Sequence, residues 1–300
     1  MHKISDYLLT NNNMAHVAIY FLVGLIALFL IFQVLKNLFY RGSNVRGFHF
    51  TTKNITYIAM MVAVSTTVTV VISLTLPITV FPPIRIAFEG IMVKIAGMFF
   101  GPLVGIIVGL ITELITIMFV PSYIHVAYLI VAVGFGFLSG LTSYFQRLTG
   151  RKKWWTFLAI NLFIIAYGVV LGLITSYYNE DVKLFGVDIA PEYYTYVFIG
   201  SIGLSLVLVW VVVGVFLIMK KGYLLDIVLP IILMCVVTEY CVTTLIGSWG
   251  DVSFLGIPRD TGGYTSILMV RLLQSPIKIV FNTLVLSTVF YILRPLVKSK

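Results

Sequence analysis

The residues of this chain that could do chemistry are charged side chains within long apolar segments. A charge is costly in hydrocarbon, so each of them must face protein or a water-filled cavity. The clearest group recurs every three or four residues near the C-terminus, a spacing that places its members on one face of a helix. It consists of Arg271, Gln274, Lys278 and Asn282. The other charged residues within apolar segments are Glu89, Lys94, Glu113 and Glu239.

This polar face has two interpretations. Buried charges are usually paired, so Glu113 and Glu239 are the expected partners of the cations, and the seam would then be structural. Alternatively, the face lines a cavity for a small polar solute, together with Arg85 at the boundary of an earlier segment. On this second interpretation the predicted substrate-binding residues are Arg85, Glu113, His125, Glu239, Tyr264, Arg271 and Gln274.

Aromatic residues occur where the connections around the mouth of such a cavity are expected. They are Tyr123, His125, Trp249, Phe254 and Tyr264. For each of them, a place in the aromatic belt of a membrane interface is the alternative explanation. His125 has no second histidine or cysteine at a spacing that suits a metal, so we predict neither a metal site nor a cofactor.

The chain lacks the short motifs of common enzymes. It contains no G-x-x-x-x-G-K-[ST] phosphate loop, no H-E-x-x-H and no G-x-S-x-G. We therefore predict no catalytic activity in this chain. Any active transport must draw on an ion gradient or on a partner ATPase.

Composition places these residues in a membrane. The chain is 60% hydrophobic and 10% charged, with a mean hydropathy of +1.07, and a soluble core could not bury that much apolar surface. Only helices or closed barrels satisfy their backbone in lipid, and the apolar segments have the length of membrane helices. The predicted fold is an all-α integral membrane protein with about nine helices. They span residues 15–36, 54–79, 86–100, 102–120, 124–146, 155–177, 194–219, 224–248 and 266–293.

Basic residues predict the orientation of the helices. Most of the 20 lysines and arginines follow the first, fifth, seventh and last predicted helices, and such connections face the cytoplasm. The opposite side has an acidic loop with Glu180, Asp181, Asp188 and Glu192. We therefore predict a plasma-membrane protein with its N-terminus outside and its C-terminus in the cytoplasm. The net charge of +9 lies at helix ends, which does not indicate nucleic-acid binding.

Small residues predict close helix packing in two places. Gly101 and Pro102 form a tight turn, and Gly101, Gly105 and Gly109 are spaced by four residues, so they would line one face of the next helix. Ala59 and Ala63 repeat the same small-residue spacing.

Two stretches of the sequence resemble the S components of energy-coupling factor (ECF) vitamin transporters, most closely the folate type. The first begins Pro83-Ile84-Arg85 and continues to Gly101-Pro102-Leu103-Val104-Gly105, with Glu113 where the family more often carries aspartate. The second, VRLLQSPIKIVFNTL from Val270, is similar to the last helix of that family.

The resemblance implies a six-helix core in two parts. Residues 54–147 would form the first four core helices, and residues 223–300 the last two with a basic cytoplasmic tail. Residues 1–53 would be an extra N-terminal helix with a basic loop, and residues 148–222 an inserted helix pair with the acidic outer loop.

The resemblance also implies a function. The chain would be a substrate-binding subunit that captures a vitamin from outside, with folate the leading candidate. A membrane coupling subunit and two cytoplasmic ATPases would drive uptake, and Ala59 and Ala63 would contact the coupling subunit.

Two other functions are weighed against this one. An ion-coupled secondary transporter could use the seam of Glu113, Glu239, Arg271 and Lys278 to couple ions or protons, but such folds often contain inverted repeats, and none is evident here. An intramembrane enzyme would need a nucleophile with its base, or a metal set, and neither occurs at a recognisable spacing.

Overall fold

The structure is a bundle of membrane-length helices. The computed structural model describes residues 7–9, 12–39, 52–75, 82–119, 125–146, 152–178, 182–184, 187–257 and 263–298. The helices are α1 (Asn13–Phe39), α2 (Thr52–Thr75), α3 (Pro82–Phe100), α4 (Pro102–Phe119), α5 (Val126–Phe145), α6 (Lys153–Thr175), α7 (Tyr194–Ile218), α8 (Leu225–Val237), α9 (Gly247–Phe254) and α10 (Gly263–Lys298). A π-helical segment, Thr238–Ile246, joins α8 to α9 without a break.

The all-α membrane fold is confirmed. Within the described residues, seven helical spans are long and apolar enough to cross a bilayer, the continuous span Leu225–Phe254 among them, and two helices contain the shorter apolar runs Ile55–Val71 and Gly90–Phe100. These nine helical spans correspond to the nine predicted ones. The main difference is at the end of the eighth, which extends to Phe254 because α9 continues the helical path beyond the π segment.

Two groups of helices pack side by side. Helices α2–α5 form one group and α6–α10 the other, and the groups meet where α3 and α5 contact α8, the π segment and α10. We call α8, the π segment and α9 together the central rod. In the most apolar part of the rod 83% of the residues are buried, whereas in the most apolar part of α1 only 6% are buried. The rod is therefore the core of the bundle, and α1 lies at its periphery.

Glycines bring α4 and α5 into backbone contact. A Cβ atom on Gly105 would collide with the Gly136 carbonyl, and one on Gly136 would collide with the Gly105 carbonyl. Gly109 is in the same position against Ala132. Gly101 takes a φ of +92° in the turn before α4, a conformation that glycine adopts without strain. Its backbone also lies close to α5, because a Cβ atom on Gly140 would come within 2.6 Å of the Gly101 carbonyl carbon.

A hydrogen bond fixes α7 to α10 at a helical proline. Pro276 lacks an amide hydrogen and therefore leaves the Leu272 carbonyl without its helical partner. The Ser201 hydroxyl of α7 donates to that carbonyl. This bond compensates for the break in the α10 ladder.

The two ends of the bundle differ in chemistry. Strands β1 (Val182–Leu184) and β2 (Val187–Ile189) form an antiparallel hairpin, and β1 packs against α10. We call this end, where α1, α3, α5, α7 and α10 begin, the hairpin end. At the other end, which we call the basic end, Lys153 Nζ lies 3.3 Å from Asp226 Oδ1 and donates to the Gly222 carbonyl at 2.6 Å.

Candidate functional site

A buried ion pair organises the hairpin end. Arg271 Nε and Nη2 both donate to Asp251 Oδ2, at 2.9 and 2.6 Å, and Nη1 donates to the Thr243 carbonyl at 2.6 Å. Both side chains are inaccessible to solvent. The prediction that Glu113 or Glu239 would be the partner of Arg271 was wrong, because α9 places the Asp251 carboxylate against the guanidinium.

Asp251 is also bonded on its other oxygen. The Tyr128 hydroxyl of α5 donates to Oδ1 at 3.1 Å, so Tyr128, Asp251 and Arg271 form a network across three helices. Two glycines make room for it. A Cβ on Gly247 would lie 2.7 Å from Arg271 Nη1, and one on Gly250 would lie 2.8 Å from the Tyr128 ring.

The π segment supplies acceptors to neighbouring side chains. A carbonyl oxygen has two lone pairs, so it can accept a bond from a side chain as well as from the backbone. Besides the Arg271 bond to Thr243, the Tyr264 hydroxyl donates to the Leu245 carbonyl at 2.9 Å, and the Tyr167 hydroxyl donates to the Tyr240 carbonyl at 3.2 Å. Helices α6 and α10 therefore hold the π segment in place.

Four half-buried aromatic side chains form the surface next to this network. The Trp249 ring of α9 meets the His125 ring edge to face at 4.5 Å and the His16 ring at 4.8 Å between centroids. The Tyr128 ring lies 6.4 Å from that of His125. The His125 Nδ1 atom accepts a hydrogen bond from the Ala127 amide and caps α5. We call His16, His125, Tyr128 and Trp249 the aromatic mouth.

A second polar layer lies deeper in the bundle. Lys278 Nζ is 3.5 Å from Glu239 Oε1, and both residues are buried, as the pairing interpretation predicted. The Lys94 ammonium lies 4.3 Å from the centre of the Phe135 ring and within electrostatic range of Glu239. The buried charged residues among the described side chains are thus three cations, Lys94, Arg271 and Lys278, and two carboxylates, Glu239 and Asp251.

The remaining predicted site residues are distributed around these two layers. Tyr264 is buried beside the rod and Gln274 is half-buried on α10. Glu113 is half-buried on α4, in the other helix group. Arg85 lies near the start of α3, but its side chain and the whole of Tyr123 lie outside the described residues.

Sequence reasoning missed His16, Tyr128 and Asp251. Asp251 follows Gly247-Ser248-Trp249-Gly250, a run that is typical of a loop, and it lies beyond the end of the predicted helix at residue 248. The paired glycines around a tryptophan were the available signal, since glycine often marks a close approach. No pattern in the sequence indicated a role for His16, because only the packing of α1 brings its ring to Trp249.

Ala59 and Ala63 lie on the open side of α2. Both residues are exposed, whereas Val62, Ser65 and Thr69 of the same helix are buried against the bundle. The two alanines therefore form a small-residue stripe on the surface.

These features define a polytopic α-helical membrane protein with a polar interior and an aromatic mouth at one end. The family model described as the ECF-type riboflavin transporter, S component, matches residues 49–220. That stretch is more than half of the 300-residue chain, and the chain belongs to this family of S components. No curated protein and no solved structure matches the chain. The family description and the apolar helices together identify a multi-pass protein of the cell membrane.

The family match covers helices α2–α7. It runs through α6 and α7, the pair that the sequence analysis treats as an insertion, and it ends before the central rod. Within the aromatic mouth, His125 and Tyr128 lie inside the matched stretch, His16 precedes it and Trp249 follows it. The division of the chain into core and insertion stays a prediction.

Proposed function

We propose that this chain is the substrate-binding subunit of an ECF-type transporter and captures a planar heteroaromatic vitamin at the aromatic mouth. The observation that carries the proposal is the mouth itself, four half-buried rings beside a buried network of hydrogen bonds. Stacked or edge-on aromatic contacts favour planar ring systems. A rigid network of hydrogen bonds keeps such rings in position before the ligand arrives.

Riboflavin is the first candidate substrate and folate the second. The description of the matched family names riboflavin as the transported vitamin, whereas the sequence motifs resemble those of the folate type. Folate carries carboxylates and needs cations at its site. The charge of Arg271 is already neutralised by Asp251, which favours a ligand with an uncharged ring system such as riboflavin.

The mouth is proposed to face the outside of the cell. The basic end of the described structure includes Lys153, Lys220 and Lys221, and basic residues favour the cytoplasmic side. The hairpin end would then be external, with the N-terminus outside and the C-terminus in the cytoplasm.

A vesicle experiment tests the substrate and the orientation together. Riboflavin would be added to right-side-out membrane vesicles that contain the chain, and its own fluorescence followed, since stacking on tryptophan quenches it. We expect saturable quenching that Trp249→Ala abolishes, with little competition by folate. Competition by folate at equal concentration would favour the second candidate. Quenching confined to inside-out vesicles would contradict the proposed orientation.

The energy for uptake is proposed to come from partners. An S component of this type would work with a membrane coupling subunit and two cytoplasmic ATPases, and the exposed stripe of Ala59 and Ala63 is the proposed contact with the coupling subunit. Small residues let a partner helix approach closely.

Ion-coupled secondary transport is the alternative function. The buried pair of Glu239 and Lys278, with Lys94 nearby, favours it, because ionisable residues in membrane interiors often form ion or proton pathways. Uptake of riboflavin by the purified chain alone in proteoliposomes, driven by an imposed ion gradient, would support this alternative and contradict the need for ATPases.

A further inference from the structure

We propose that the first turns of α1 form one wall of the substrate site in this chain. The inference rests on the proposed function and adds to it a residue, His16, and an element, α1, that lie before the stretch matched by the family model.

Burial of α1 is strongest at its beginning. Met14 and Ala15, two consecutive residues, are 7% and 0% exposed; further along the described part of α1 only Leu22 is as buried, at 5%, and Tyr20 and Phe21 on the outer face are 74% and 65% exposed. The tight end of α1 is the end that reaches the aromatic mouth.

The described residues before α1, 7–9 and 12, belong to the same packed region. Leu9 is fully buried, and it belongs with Met14 and Ala15 to the core cluster that includes Tyr264 of α10. Asn12 takes a φ of +63°, a left-handed conformation that asparagine tolerates better than most residues. The Asn13 side-chain amide donates to the Tyr7 carbonyl at 2.7 Å. Residues 7–9 and 12 therefore pack with the start of α1.

His16 of α1 brings a polar ring into the mouth. Its ring lies 4.8 Å from that of Trp249 at an interplanar angle of 60°, and His125 approaches Trp249 within 4.5 Å. All three rings are half-buried. Imidazole offers both an aromatic surface and a hydrogen-bonding nitrogen, which suits the edge of a heteroaromatic ligand such as a flavin.

The test compares two alanine variants of α1 in the full chain. Riboflavin binding would be measured by quenching of its fluorescence for the wild type, His16→Ala and Tyr20→Ala. We expect His16→Ala to raise the Kd about tenfold, the size expected for one lost aromatic contact. Tyr20→Ala should leave the Kd unchanged, because Tyr20 points away from the bundle. His16→Phe, which keeps the ring, should restore most of the affinity.

Equal affinities of His16→Ala and the wild type would overturn the inference and leave the proposed function intact. A wild-type chain that binds neither riboflavin nor folate would overturn both. If His16→Ala does not fold, His16→Cys gives a second measurement. Saturating riboflavin should slow the labelling of this cysteine by a membrane-impermeant maleimide, and an unchanged labelling rate would contradict the proposal.

Discussion

Asp251 is the residue on which the geometry of the mouth depends. Its two carboxylate oxygens accept from Arg271 on α10 and from Tyr128 on α5, and it lies two residues after Trp249. Without the carboxylate, the arginine would be a buried charge without its counter-ion. Asp251 therefore bridges α5 and α10 and anchors the helix that carries Trp249.

Asp251→Ala should lower the free energy of unfolding by about 3–5 kcal/mol, because it leaves an uncompensated buried guanidinium. Unfolding of the purified protein in mixed micelles would measure it. Asp226→Ala is the matched control, since Asp226 pairs with Lys153 but is 28% exposed, and partly exposed pairs contribute no more than about 1 kcal/mol. Equal losses in the two variants would contradict a structural role for the buried pair.

The sequence predicts the charged residues better than it predicts their partners. Lys278 and Glu239 pair as expected because both lie well inside recognisable apolar segments. Asp251 was not predicted because the glycine, serine and tryptophan residues before it are typical of a loop. Tyr128 was not predicted because a tyrosine near the start of a membrane helix is typical of the aromatic belt at the membrane interface. Partner choice depends on how α5, α9 and α10 converge, which no local pattern encodes.

The π segment is the element that joins the central rod to its neighbouring helices. Its carbonyls at Tyr240, Thr243 and Leu245 accept from Tyr167, Arg271 and Tyr264. Each donor comes from a different place on α6 or α10. Each of these carbonyl oxygens has two lone pairs, so it can accept a side-chain donor in addition to a backbone amide.

Helix bounds were predictable because membrane thickness fixes the length of an apolar run. The predicted helices over residues 102–120 and 194–219 end within one residue of α4 and α7. The π segment was not predictable, because its hydrogen-bond pattern is stabilised by side chains that are distant in sequence. Nor was the short hairpin of β1 and β2, which lies in the acidic loop predicted between two helices.

Gly136→Ala tests the backbone contact between α4 and α5. The new methyl group would meet the Gly105 carbonyl and the Ile106 amide, and backbone atoms cannot move aside as side chains can. We expect a loss of about 1–3 kcal/mol in the free energy of unfolding. Gly214→Ala in α7 is the control, since nothing lies within 4 Å of its Cβ position, and it should stabilise the helix by up to about 1 kcal/mol. A loss at Gly214 equal to that at Gly136 would contradict the packing argument.

The whole molecule combines a family-like part with two flanking parts that complete its mouth. Helices α2–α7 carry the family match, α1 precedes it, and the central rod and α10 follow it. The rings of the mouth come from all three parts. Substrate capture in this chain would therefore depend on residues that the family match does not include, whereas docking to a coupling subunit would use α2, which it does include.

Separation of these two surfaces leads to a prediction for the assembled transporter. Replacing Ala59 and Ala63 with leucine should prevent the coupling subunit and its ATPases from co-purifying in mild detergent, because the bulk fills the stripe that a partner helix would occupy. Riboflavin binding should be unchanged, since the mouth is formed by α1, α5 and α9. Ala166→Leu on the exposed face of α6 adds the same bulk elsewhere and should leave the complex intact.

An intact complex in the Ala59 and Ala63 variant would mean that the partner docks on another face. Loss of riboflavin binding in the same variant would mean that α2 and the mouth are coupled through α3 and α5, the helices that join the two groups.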